Sequence, residues 1–321
     1  MKSYALASGQ SWFMRNRMTL LTVVMVAGYA AFIEWLWGWS SILSSWSEIG
    51  VLRVFFALAL LTSTYVLRTW RIHDYFPAET SGRFSTLFRV TQIHNLLNIM
   101  LPFRSGETSF PLLMRTEFAI PLARGASALL VMRLLDLHAL LAAAGLGLAL
   151  SAAERGVAFV IWGFFLLLPA VAFALRCPLM KTLHRVAPAK AERLLTEIEE
   201  GLPATPMKFL RAWLVTIVNW LVKVLVLAWA LRLMGLSLSA GFGGALGGEL
   251  SSVLPLHAPG GVGTYPAGIA AGATAFGTTT DAETLAKASV NAHLLIIVSA
   301  LTGTAISLPF GRKRHPKESP V

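Results

Sequence analysis

Apolar residues run almost unbroken in six stretches of this chain: Met18–Trp37, Val51–Leu67, Ala126–Ser151, Val157–Leu175, Phe209–Leu233 and Leu285–Leu308. Each lies within or near the roughly 20 residues that a helix needs to cross the hydrocarbon core of a bilayer. A helix satisfies its own backbone hydrogen bonds, so the pattern predicts transmembrane helices. The first stretch follows Arg15 and Arg17, as the core of a signal peptide would. It lacks a small-x-small cleavage site and ends in Trp35, Trp37 and Trp39, so it reads as an uncleaved span.

Two regions depart from this pattern. Residues 88–125 (FRVTQIHNLLNIMLPFRSGETSFPLLMRTEFAIPLARG) hold a short apolar half broken at Leu101-Pro102 and the run Arg104-Ser105-Gly106-Glu107. Residues 238–277 repeat the plan, with a break at Leu254-Pro255 and the run Pro259-Gly260-Gly261-Val262-Gly263. Proline removes a helical donor and glycine relaxes the backbone, so each region predicts two short helices joined by an irregular tip. At membrane depth such backbone survives only within protein or beside water.

The order is therefore span, span, broken hairpin, span, and then the same again. About 150 residues separate the two Leu-Pro pairs. An odd number of spans per half inverts the second half, which is the inverted-repeat plan of secondary transporters. The expectation is an all-α integral membrane protein: one polytopic helical bundle over residues 1–321, with about six full spans and two broken, re-entrant hairpins. Its pseudo-repeats cover about 18–151 and 157–310. The other arrangement, with both broken regions as pairs of full spans, gives ten spans and the same terminal orientation. Between the halves, Lys181–Gly201 alone has a soluble-helix pattern, and a connector over 178–206 is expected to lie on the cytoplasmic face.

Composition agrees with a membrane solvent: 55% of residues are hydrophobic, 13% are charged, and mean hydropathy is +0.65. The net charge of +11 forms no basic groove, so no nucleic-acid partner is expected. Segments 1–17, 68–90, 104–124, 176–211 and 312–317 hold 3, 4, 3, 7 and 4 Lys or Arg, whereas 38–50 and 234–284 hold none. The positive-inside rule then puts both termini in the cytoplasm and the tryptophans around Trp35–Trp46 at the outer interface. A single cysteine, Cys177, excludes an internal disulfide.

Ionisable groups inside apolar spans are costly and mark candidate sites. Arg133 and Asp136 share a helical face, either as a packing ion pair or with Arg133 lending charge to an anionic headgroup. Asn219 and Lys223 share a face of another span. Lys223 has no acid within a turn, so it calls for a partner elsewhere, a wet cavity or a phosphate. At the tips, Arg104 and Glu107 bracket Ser105-Gly106, and Pro259–Gly263 exposes backbone N–H groups suited to phosphate. The seven histidines (His73, His94, His138, His184, His257, His293, His315) show no metal-ligand spacing and read as packing residues. No catalytic or nucleotide motif occurs, so no cofactor or metal is expected.

At these motifs the chain resembles the lysylphosphatidylglycerol synthase transmembrane family, which includes the flippase part of the multiple peptide resistance factor proteins and hopanoid-associated relatives. The residues carrying the resemblance are Asn98 with LPFRSGE at Leu101–Glu107, Arg133-Leu134-Leu135-Asp136, and PGGVG at Pro259–Gly263. The Glu usual after the glycine run is absent, Thr264-Tyr265-Pro266-Ala267 standing there, and Met132 replaces an acid before Arg133. The chain ends in a short basic tail, so the aminoacyl-transfer domain of the synthases is not expected, nor enzymatic activity.

The resemblance implies a flippase-like protein of a bacterial inner membrane that handles an anionic phospholipid, an isoprenoid-linked precursor or a glycolipid. Asn98, Arg104, Glu107, Arg133, Asp136, Lys223, Pro259, Gly260, Gly261 and Gly263 form its substrate-binding set. Two other classes stay open: a non-catalytic partner of a lipid or glycan synthase acting through 181–201, and an intramembrane headgroup enzyme. A homo-oligomer is also open.

Overall fold

The structure, a computed structural model, describes residues 17–253 and 258–310. The Leu254-Pro255 break, His257, His315, the basic tail and the first 16 residues lie outside it. The described residues hold no strand. The helices are α1 (Arg17–Leu36), α2 (Trp39–Ile49), α3 (Val51–Tyr75), α4 (Phe84–Met100), α5 (Ser109–Phe118), α6 (Leu122–Ser151), α7 (Arg155–Val186), α8 (Glu192–Glu200), α9 (Pro206–Leu233), α10 (Leu238–Val253), α11 (Thr264–Ala275) and α12 (Ala282–Ser307). One helical turn at Pro77–Thr80 and 3₁₀ segments at Pro102–Thr108, Ala189–Ala191 and Pro259–Gly261 complete the order.

The chain is an all-α polytopic membrane protein. Among the described residues five helices, α3, α6, α7, α9 and α12, are long and apolar enough to cross a membrane, and the 20-residue α1 covers the first apolar run. Both expected interruptions are present. The first lies between α4 and α5, where Phe103 and Arg104 take left-handed backbone angles, φ 53° and 55°, rare for residues with a Cβ. The second lies between α10 and α11, where Gly260, Gly261 and Gly263 supply the positive φ angles.

Two elements differ from the pattern-based reading. The second span does not stop at Leu67; α3 runs on to Tyr75, because Arg68 and Arg71 find acceptors inside the protein. Segment 38–50 is helical, with Ile42 and Ile49 buried at a two-turn spacing and serines on the other side. Glu34 Oε2 accepts the Trp39 N–H at 2.8 Å across the turn at Gly38.

The chain falls into two compact units. The first comprises Met1–Val54, Leu97–Glu107 and Leu227–Leu294. Its centre is the α10–α11 hairpin. Gly243 and Gly247 on one arm and Gly268 and Gly272 on the other are each four apart, the small-residue spacing that lets two helix backbones touch. A Cβ on Gly247 would collide with the Gly268 carbonyl, and one on Gly272 with the Gly243 carbonyl. At the first tip, a Cβ on Gly106 would strike the Leu97 carbonyl, so that turn also folds tightly onto the end of α4. Ahead of α12, Asp281 Oδ1 accepts the Thr284 N–H at 2.9 Å, which holds this exposed carboxyl below its usual range.

The second unit comprises Phe55–Leu96, Thr108–Val226 and Leu295–Val321. Its core joins Ile72 of α3, Phe76 just after it, Leu87 of α4, Phe110 and Met114 of α5 and Met132 of α6. The connector is docked: Ser127 Oγ donates to the Ile198 carbonyl at 2.9 Å, and Gly201 lies so close to Arg124 and Ser127 that it has no room for a side chain. Pro188 ends the preceding helix.

One buried histidine has its role set by a proline. Pro169 sits inside α7 without an N–H, so the carbonyl of Phe165, four residues earlier, loses its helical donor. His138 Nε2 donates to that carbonyl at 3.1 Å, with its ring stacked on Phe165 at 4.8 Å. His138→Leu should therefore cost roughly 1–3 kcal/mol, the penalty for an orphaned buried acceptor. Pro169→Ala restores an N–H to the same carbonyl, so the double variant should recover most of that loss in thermal unfolding. Simple additivity of the two changes would contradict the pairing.

Candidate functional site

Each unit contains a polar cluster. In the second unit the centre is Asp136 on α6, whose side chain is 1% exposed. Arg71 of α3 grips it with both terminal nitrogens, at 2.7 and 3.3 Å, a fork that matches the planar carboxylate. Trp220 Nε1 of α9 donates to Oδ1 at 2.9 Å, and Arg133 Nη1 donates to Oδ2 at 3.2 Å. Arg71 also donates to Thr216 Oγ1 at 2.6 Å, while that hydroxyl donates to Ala212 O. Three helices are thus fixed to one buried charge.

A third guanidinium stands beside this group. Arg68, one turn before Arg71, donates to the neutral amide oxygen of Asn95 on α4 at 2.7 Å, and its Nε has no partner among the described residues. A turn away on α4, Gln92 is wholly buried with both amide atoms unpartnered, near Tyr65 and Gly303. His94 Nε2 lies 3.4 Å from Arg133 Nη2, and Nδ1 lies 2.9 Å from Ser109 Oγ. Buried polar groups are usually satisfied, and Arg68 Nε and the Gln92 amide stand out as atoms without a partner among the described residues. The buried Lys223 cation lies 5.1 Å from the Trp220 ring, and Asn219 Oδ1, on the same face of α9, has no partner among the described residues.

The first unit holds the tips. Arg104 donates to Glu107 and to the Ser252 carbonyl at the end of α10, so the sequence neighbours Arg104 and Glu107 form one ion pair. Asn98 packs against Gly106, at the base of that tip. Glu249 of α10 is fully buried and accepts the Tyr265 hydroxyl at 2.7 Å. The Tyr265 ring stacks on His293 at 5.2 Å, and His293 Nε2 donates to the Gly260 carbonyl at 2.9 Å. Pro259, Gly260 and Gly261 are buried, so this turn is a packed corner that His293 holds from α12.

The model of the lysylphosphatidylglycerol synthase transmembrane region matches residues 19–303, nearly the whole described chain. The chain belongs to that family. No curated protein and no solved structure matches it. The motifs quoted for the family occupy structured positions: the Leu-Pro-x-Arg-x-Gly-Glu tip carries the Arg104–Glu107 pair, and Arg133-x-x-Asp136 forms half of the buried cluster. In the stretch after the glycine run, Tyr265 donates to the buried carboxylate of Glu249.

Arg68, Arg71, Trp220 and Glu249 were not among the residues singled out from sequence. Glu249 was visible as the single acid in a glycine-rich apolar helix. Arg68 and Arg71 were concealed because basic residues just past an apolar run read as loop charges. Among the described residues no group of His, Cys, Asp or Glu could hold a metal.

Proposed function

We propose that the chain is a lipid carrier and not an enzyme, binding an anionic phospholipid or isoprenoid-linked precursor and passing it between leaflets of a bacterial inner membrane. The observation that supports this most is the gathering of Arg68, Arg71 and Arg133 about the single carboxylate of Asp136 among membrane-spanning helices. Arg71 is committed to that carboxylate by its fork. Arg68 spends its charge on a neutral amide, and Arg133, with a side chain 19% exposed, is the more accessible guanidinium. A lipid phosphate offers Arg68 the charge-assisted acceptor that the Asn95 amide does not, and offers Arg133 a second anion beside the carboxylate oxygen it shares with Arg71. Within the same unit Lys223 is a further cation, and Asp136 orients the arginines.

The basic segments support both termini being cytoplasmic, although two of the four basic residues in 68–90 are Arg68 and Arg71, which are helical and engaged within the protein. Native mass spectrometry of gently purified protein tests the binding step. Wild type should retain phosphatidylglycerol, and Arg133→Gln should lower retention about tenfold, the worth of one charge-assisted hydrogen bond. Unchanged retention in that variant counts against the site.

A further inference from the structure

A second lipid-facing feature lies in the same unit but uses other residues. Along its apolar run α7 is exposed or half-buried at every residue but Pro169, so that helix presents itself to the bilayer. Between it and α6 runs a groove of about 390 Å³, walled by Leu134, His138 and Leu141 on one side and Leu168, Ala172 and Arg176 on the other. The spacings of three, four and eight residues make one stripe along each helix. From Leu134 to Leu141 and from Leu168 to Arg176 the lining is apolar apart from His138, which is occupied by Phe165 O, and Arg176.

Arg176 is the first charged residue after the apolar run of α7. It marks the level where the helix leaves hydrocarbon, where long basic side chains turn toward headgroups. Its guanidinium donates to two backbone carbonyls, Phe173 O at 2.8 Å and Ala204 O at 3.1 Å, and lies 3.5 Å from the Phe173 ring centroid. A guanidinium has five N–H donors, so three remain. No carboxylate pairs with it among the described residues.

The groove continues at this arginine into a second cavity of about 320 Å³ that shares Arg176, Leu202 and Pro203 and adds Glu199 and Glu200 from the end of α8. Glu199 Oε2 lies 3.2 Å from His184 Nε2, and Glu200 Oε2 lies 3.9 Å from Arg124 Nε. Each carboxylate keeps its second oxygen. The sequence of chemistry along this path is apolar trough, single cation, paired anions. That order is the complement of an acyl chain, a phosphate and an ammonium.

We propose that this path is a binding site for one membrane phospholipid with a primary-amine headgroup, its chain along α6 and α7, its phosphate on Arg176 and its amine between Glu199 and Glu200. The site is independent of the Asp136 cluster and takes a zwitterionic lipid, so it acts as an annular anchor that ties the docked connector to the bilayer surface. An anionic lipid would satisfy Arg176 but set its excess charge against the two glutamates.

The full-length protein in nanodiscs of equal phosphatidylethanolamine and phosphatidylglycerol content, read by native mass spectrometry, tests this. In R133Q, where the separate anionic site is weakened, phosphatidylethanolamine should be retained over phosphatidylglycerol by about threefold or more, the scale of exposed ion pairs. E199Q/E200Q should abolish that preference while total phospholipid stays bound. A172W, which fills the trough, and R176Q should each lower retention of that lipid. Cys177 lines the second cavity and is exposed, so it serves as a reporter: phosphatidylethanolamine should slow its maleimide labelling in wild type and not in A172W. Equal retention of both lipids by R133Q, or labelling and retention indifferent to A172W, would overturn the proposal. R133Q should leave Cys177 protection unchanged, which separates this site from the anionic one; loss of protection in R133Q would contradict their independence.

Discussion

Asp136→Asn should destabilise the protein by roughly 3–5 kcal/mol, the cost of breaking a buried ion pair by removing one partner. The substitution keeps the shape of the side chain but removes its charge, leaving the guanidiniums of Arg68, Arg71 and Arg133 to repel one another. Trp220 Nε1 would also face an amide in place of a carboxylate. Three helices converge on this residue, so the loss should be global, visible as a lower midpoint in thermal unfolding in mild detergent. Arg133→Gln removes the 3.2 Å contact to Asp136 Oδ2 at a partly exposed guanidinium and should cost about 1 kcal/mol. Comparable losses in the two variants would mean that Asp136 is not the anchor.

The second large effect belongs to the glycine hairpin of the first unit. Gly247→Ala and Gly272→Ala each place a methyl group against a backbone carbonyl of the opposite helix, which cannot rotate away as a side chain would. Overpacking of this kind costs about 1–3 kcal/mol and more where the backbone must shift. The hairpin arms would have to separate, so both variants should unfold at lower temperature, with Gly247→Ala/Gly272→Ala less than additive because one separation relieves both clashes. Gly163→Ala on α7 is the control, since nothing lies within 4 Å of its position and alanine favours helix by up to about 1 kcal/mol. Equal behaviour of all three positions would remove the close-packed reading.

Much of this architecture was legible in the chain. The runs from Met18 to Leu308 became long helices because uninterrupted apolar residues leave a backbone in lipid no other way to satisfy itself. Leu101-Pro102 and the Pro259–Gly263 run interrupted helices because proline withdraws a donor and glycine tolerates positive φ. Arg133 and Asp136 were paired correctly from a three-residue spacing, since that relation is local.

The partners that matter most to Asp136 were not legible. Arg71, 65 positions earlier, and Trp220, 84 later, meet it only through packing of separate helices, and nothing periodic in the sequence announces such a meeting. Arg68 and Arg71 also sat beyond the last apolar residue of their run, where charge usually signals water. Gly243, Gly247, Gly268 and Gly272 were visible as a glycine-rich stretch, but the reading stressed flexibility at the tip. Their four-residue spacing instead produces a close and rigid contact.

The central claim is that the buried arginines meet lipid phosphate on its way through the membrane. Its most direct test is leaflet transfer of a fluorescent phosphatidylglycerol in sealed vesicles, followed by quenching of outer-leaflet probe, with wild type, Arg133→Gln and Arg68→Gln side by side. Wild type should expose inner-leaflet probe well above the protein-free rate, and both variants should fall back toward that rate while remaining folded. Transfer at the wild-type rate in both variants, or none by wild type across a panel of anionic headgroups, would contradict the account.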